Sequence, residues 1–139
     1  MNLLKGNCNY NVVSLYDYIE DAISAYFIMP YYNCGNLEQL INWGELKYQL
    51  QIIEYFRQIC YGLKILHSNN IMHRDIKCEN IFISRNTDNI YKYPHYLVIG
   101  DYGISKVTSS MTNTINTGTE YTKAPEVSKG NYGLKVHFI

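Results

Sequence analysis

The chain has 139 residues, 47% of them apolar and 17% charged, and its 12 Lys and Arg balance 12 Asp and Glu to a net charge of zero. That composition excludes an intrinsically disordered chain and offers no basic field to nucleic acid or to an anionic membrane, so neither is expected as a partner. No apolar run approaches bilayer-spanning length, and residues 1–7 lack the layout of a secretory signal peptide.

From Val12 to Ile19 the residues are β-branched and aromatic, and the run ends at Glu20-Asp21. With the following run Ala25 to Met29 it predicts an antiparallel hairpin. Pro30 stops the second strand, residues 33–36 (Asn-Cys-Gly-Asn) form a connector, and Leu37, Leu40 and Ile41 predict a short helix. A long helix is predicted from Leu46 to His67. Its apolar residues Ile52, Phe56, Ile59, Cys60, Leu63 and Leu66 recur at three- and four-residue steps, as a buried stripe would, and Asn69-Asn70 ends it. Then come a loop, a strand at Ile81–Ser84, a polar insertion to His95 and a strand at Tyr96–Ile99. A Thr/Ser/Asn-rich loop follows at Thr108–Thr117, long enough to be functional or mobile.

Cys8, Cys34, Cys60 and Cys78 are scattered, with no C-x-x-C pair and no matching His pair. A zinc or disulfide framework is not expected; reduced thiols fit an intracellular protein, cytoplasmic or nuclear.

Three motifs carry chemistry. Residues His73 to Asn80 read H-R-D-x-K-x-x-N. Asp101-Tyr102-Gly103 begins 21 residues after Asn80, in the place of D-F-G. Gly118 to Glu126 reads G-T-x-Y-x-x-A-P-E. Each is weak alone, but three in this order on a helix–loop–strand background are specific. The chain resembles a eukaryotic protein kinase of the serine/threonine type over essentially its whole length.

The resemblance implies an α/β (α+β) kinase-like fold and transfer of the ATP γ-phosphoryl group to Ser or Thr of protein substrates. Phosphoryl transfer needs an oriented hydroxyl, divalent cations and positive charge near the transferred group. By resemblance, Asp75 is the catalytic base and Lys77 contacts the γ-phosphate. Asn80 and Asp101 hold Mg²⁺, while Thr119 hydrogen-bonds Asp75 and Lys77. Arg74 resembles the arginine that pairs with a phosphate placed on the activation loop by an upstream kinase. The candidate acceptors are Ser109, Ser110, Thr112, Thr114 and Thr117. Met29 stands as gatekeeper, adenine meets the Pro30 carbonyl and the Tyr32 N–H, and Phe82 packs below the purine. Pro30 replaces the usual acidic residue there, which is tolerable because only its C=O is needed.

Other family features are missing. No G-x-G-x-x-G occurs, and Lys5, the only lysine before the hinge, lies beyond the αC glutamate position. The chain is expected to be a partial domain. Residues 1–29 would be an N-lobe remnant, 30–36 the hinge and connector, and 37–139 an incomplete C-lobe with catalytic loop 73–80 and activation segment 101–126. It would stop before the αF helix, leaving the apolar stripe of the long helix short of cover and the chain inactive. The alternative is a non-catalytic pseudokinase, interaction fragment or pseudogene product.

Overall fold

A computed structural model describes residues 11–87, 92–101, 106–107 and 125. Strands β1 (Asp17–Glu20) and β2 (Ala25–Ile28) pair antiparallel with Tyr18 opposite Phe27, whose rings lie 5.2 Å apart. The turn between them is built by Asp21, whose carboxylate accepts the N–H groups of Ile23 and Ser24 at 2.8 Å each. The hairpin is therefore shorter than the sequence predicts. Val12 and Val13 do not belong to it: both are buried, and residues 11–13 run alongside a later strand instead.

Helix α1 (Leu37–Asn42) opens with a reciprocal capping box. Asn36 Oδ1 accepts the Gln39 N–H and Gln39 Oε1 accepts the Asn36 N–H, both at 3.0 Å. Helix α2 (Gln49–Ser68) begins three residues later than predicted. It ends where Asn70 adopts φ +57°, a left-handed conformation that asparagine tolerates. The Asn69 amide also donates to the Ile65 carbonyl.

The buried face of α2 differs from the predicted stripe. Gln51, Tyr55, Gln58, Gly62, Leu63 and Leu66 face inward, whereas Ile52, Phe56 and Cys60 are exposed and Ile59 is half-buried. The reason lies in the neighbour. Strands β4 (Ile81–Arg85) and β5 (His95–Ile99) pair antiparallel, and their core face presents Ile81, Ile83, Leu97 and Ile99. Residues 11–13 lie on the outer edge of β5, joined by Ile99 N–H to Asn11 C=O (3.0 Å) and Val13 N–H to Ile99 C=O (2.9 Å). Gln58 Oε1 accepts the Leu97 N–H at 2.8 Å, and the Asn11 side-chain amide donates to the Leu97 carbonyl at 2.8 Å and to Gln58 at 3.4 Å. Two buried amides thus clamp α2, β5 and residues 11–13 together. Gly62 lets the helix approach, since a Cβ there would overlap the Asn11 carbonyl.

This clamp sets a prediction. Gln58→Leu keeps the volume but strands the Leu97 N–H and removes one acceptor of the Asn11 amide, which keeps the Leu97 carbonyl, at about 1–3 kcal/mol for a buried group left unpaired. Against a total stability of about 5–15 kcal/mol, a large drop in melting temperature is expected. An unchanged melt would contradict the clamp.

Strand β3 (Ile71–Met72) pairs antiparallel with β6 (Lys106–Val107), a two-residue pairing that was not predicted. It lies just ahead of His73 and, on its partner, a few residues beyond Asp101. Among the described residues no helix is long and apolar enough to cross a membrane, and Cys34, Cys60 and Cys78 are free thiols.

Candidate active site

The site is assembled where β3, a short 3₁₀ turn (Cys78–Asn80) and the end of β5 meet. Arg74 and Asp101 both have positive φ, +70° and +57°. Non-glycine residues are rarely held so, and such strain gathers at functional positions.

His73 is the keystone. Fully buried, it lies with Nε2 2.6 Å from the Gly100 carbonyl, while Nδ1 accepts the Asp75 N–H at 3.3 Å. A carbonyl can only accept, so Nε2 carries the hydrogen and the ring is neutral. One side chain thereby ties the loop carrying Asp75 to the residue before Asp101.

A second tie runs through Asn80, which is also buried. Its Nδ2 donates to the Asp75 carboxylate and to the Asp75 carbonyl, both at 2.9 Å. Its backbone carbonyl accepts the Gly100 N–H at 2.9 Å, and its own N–H reaches the Lys77 carbonyl at 3.0 Å. The Lys77 ammonium lies 3.2 Å from Asp75 Oδ2. Asp75, Lys77, Asn80 and the peptide entering Asp101 therefore form one bonded unit.

Burial pushes the His73 pKa below its ordinary value of 6.5, against the opposing pull of the Gly100 carbonyl and of the Asp101 and Asp75 carboxylates. Burial lowers His67 and His95 as well. A histidine held below its unfolded pKa leaves the unfolded chain binding more protons as pH falls through 6.5, so stability falls with pH there. Protonating Nδ1 would also break its bond to Asp75. The expected result is a melting temperature that declines between pH 7 and pH 5.5. A flat or rising trend would contradict the neutral, doubly bonded His73.

The donors suit a magnesium ion. Asp101 is a hard carboxylate, and the donor end of the Asn80 amide is spent on Asp75, so the end it can offer a cation is oxygen. Among the described residues no three His, Cys, Asp or Glu side chains gather into a metal cage.

The other predicted residues are placed as follows. Met29 is exposed and Pro30 half-buried, directly after β2. The Tyr32 ring stacks on Phe82 with centroids 5.6 Å apart and planes 24° apart. Burial, with Tyr96 and Tyr16 nearby, pushes the Tyr32 phenol up to about 12. The Phe82 ring also lies over Gly100. That stack was not foreseen, although glycine at a strand end signals close approach. The Asn11–Gln58 clamp was missed too, because a buried amide pair has no periodic signature. Cys78 sits within the turn with its thiol pushed up by burial, Glu79 and Glu38 adding to the effect, which suits a packing residue rather than a nucleophile. Thr119, the 108–117 acceptors and Glu126 lie outside the described residues.

The arrangement, an aspartate with a lysine two residues on, tied through Asn80 to the peptide that enters Asp101, sits in a kinase-like fold. The structure is similar to a chain of the yeast RNA Pol II CTD kinase CTDK-1 complex, with a TM-score of 0.76 and 27% identity, covering 97% of this chain and 43% of that one. A family model described as the protein kinase domain matches residues 1–137, and the chain belongs to that family. It is 36% identical to serine/threonine-protein kinase Nek1 of Mus musculus over 84% of its length. It is 33% identical to serine/threonine-protein kinase sid1 of Schizosaccharomyces pombe over 92%. The same identity, over 96%, relates it to a Dictyostelium discoideum protein named as a probable serine/threonine-protein kinase, nek3. The chain spans 9% of the length of Nek1, 26% of sid1 and 12% of nek3.

Proposed function

We propose that these residues carry the chemistry of a protein serine/threonine kinase, transferring the γ-phosphoryl group of ATP to a Ser or Thr hydroxyl of a protein. The observation that supports this most is the single hydrogen-bonded unit joining Asp75, Lys77, Asn80 and the peptide that leads into Asp101. Asp75, fixed by Asn80 and by the His73 bond to its backbone, orients the substrate hydroxyl and accepts its proton. Lys77 is close enough to share its charge between Asp75 and the transferred phosphoryl group. Asn80 and Asp101 would hold Mg²⁺, which when bound neutralises the phosphate oxygens. Pro30 and Tyr32 offer backbone groups to the adenine edge beside Met29, and Phe82 forms the floor.

In this reading residues 1–29 belong to an N-lobe, 30–36 to the hinge, and 37–139 to a C-lobe. Arg74 draws in a phosphate placed on the 108–117 loop by an upstream kinase, and the free thiols suit a cytoplasmic or nuclear setting. The test is incubation of the chain, alone and within a full kinase domain, with γ-³²P-ATP, Mg²⁺ and a generic acceptor such as casein, followed by phosphoamino-acid analysis. Label on serine or threonine is expected from the full domain and none from the chain alone, which carries no G-x-G-x-x-G. Label on tyrosine would overturn the acceptor class, and ATP binding by the full domain without any transfer would favour the non-catalytic alternative.

A further inference from the structure

The β4–β5 ladder has two ends. Asn80 and Asp101 lie past one of them, and at the other Arg85 pairs with His95 on the last rung. Asn86 closes the neck of the loop there. Its N–H donates to the Pro94 carbonyl at 2.9 Å and its side-chain amide to the Tyr93 carbonyl at 3.0 Å. From that neck two side chains reach back to α2. The Tyr93 ring meets the Tyr55 ring edge-on with centroids 6.3 Å apart, and His95 Nδ1 lies 3.3 Å from the Tyr55 hydroxyl.

Tyr55 is buried, and its oxygen accepts from Gln51 Nε2 at 3.2 Å. Among the described residues the acceptor its own hydrogen reaches is His95 Nδ1, so the imidazole that fits is neutral, with its hydrogen on Nε2. A proton added at Nδ1 would turn two donors onto one oxygen and leave the Tyr55 O–H with no acceptor, a costly state for a buried group. It would also set a cation directly across the ladder from Arg85, and like charges on facing strands repel. Burial and then Arg85 hold the His95 pKa below its ordinary 6.5, while Glu45, from the connector between α1 and α2, pulls the other way. The remaining charge at the neck, the Lys92 ammonium, sits over the Tyr93 ring at 5.8 Å from its centroid.

We propose that His95 and Tyr55 form a latch that holds the neck of the β4–β5 loop on α2 and lets go when the imidazole takes up a proton. The device is independent of the phosphoryl-transfer reading and of His73. In the released neck His95 meets water and binds its proton with an ordinary affinity. The open form therefore binds more protons than the closed one, and closure weakens as pH falls below 6.5.

The test is NMR on the full chain and on Tyr55→Phe and His95→Gln, reading the His95 titration and amide-exchange protection corrected for the intrinsic effect of pH. The Asn86 N–H reports the neck, and the Leu97 N–H, held by Gln58, reports the ladder as a whole. Between pH 7 and pH 5.5 Asn86 protection should fall by about threefold or more relative to Leu97. In His95→Gln that relative fall should vanish. In Tyr55→Phe the His95 pKa should rise, because the lost O–H favours the neutral ring. A fall or no change there would show that the tyrosine does not hold the neutral form. Asn86 protection that is flat in the wild type, that falls only in step with Leu97, or that keeps its slope in His95→Gln would overturn the latch. Should Tyr55→Phe not fold, the comparison with His95→Gln decides alone.

Discussion

Within a full kinase domain, Asp75→Asn is expected to lower kcat by about a thousandfold, within the 10²–10⁴ range of a positioned general base, or about 4 kcal/mol of barrier. The substitution is nearly isosteric. Its side-chain oxygen can still accept from Asn80 Nδ2, which now meets Asp75 Oδ2 at 2.9 Å, so the loop should hold its shape. Two things change: the group no longer takes the hydroxyl proton, and Lys77 loses the charge 3.2 Å from its ammonium. ATP affinity should move only a few-fold, because neither change touches the hinge. A kcat within tenfold of wild type would remove Asp75 from the base role.

Asp101→Asn tests the other end of the site. The backbone there sits at φ +57°, a conformation asparagine adopts more readily than most residues, so folding should be preserved where alanine would confound the result. An amide oxygen carries no net charge, and a hard divalent cation loses most from that exchange. The Mg²⁺ concentration for half-maximal activity should rise at least tenfold, and activity should recover in part at high Mg²⁺. The His73–Gly100 bond should persist, since it uses the backbone of the preceding residue. An unaltered Mg²⁺ requirement would show that Asp101 does not serve the metal.

These two effects separate what the residue order states from what packing adds. The H-R-D-x-K-x-x-N run is legible because its spacing is local: the 3₁₀ turn at Cys78–Asn80 returns Asn80 to Asp75 within five residues. The end of α2 at Asn69-Asn70 and the alternation Ile81/Ile83 against Leu97/Ile99 are legible for the same reason, since capping and strand pleat act over a few residues.

The misreadings have one physical root. The inward face of α2 is built on Gln51, Tyr55, Gln58 and Gly62, so its hydrophobic periodicity points to Ile52 and Phe56, which are exposed. Gln58 is buried because the Leu97 N–H, 39 residues away, needs an acceptor. Val12 and Val13 read as hairpin residues because they are β-branched, yet their partner is Ile99. Neither partner is visible to a local pattern. The same holds for His73, whose motif position is plain but whose role as the strut between Asp75 and Gly100 appears only once β5 is in place.

The decisive measurement is a crystal structure of the chain with Mn²⁺ in place of Mg²⁺ and a non-hydrolysable ATP analogue, with the metal located by anomalous scattering. The account predicts a metal peak about 2.1 Å from Asn80 Oδ1 and from an Asp101 carboxylate oxygen, with the Asp75 carboxylate facing the terminal phosphate. A metal bound elsewhere, or Asn80 and Asp101 turned toward separate regions, would contradict it.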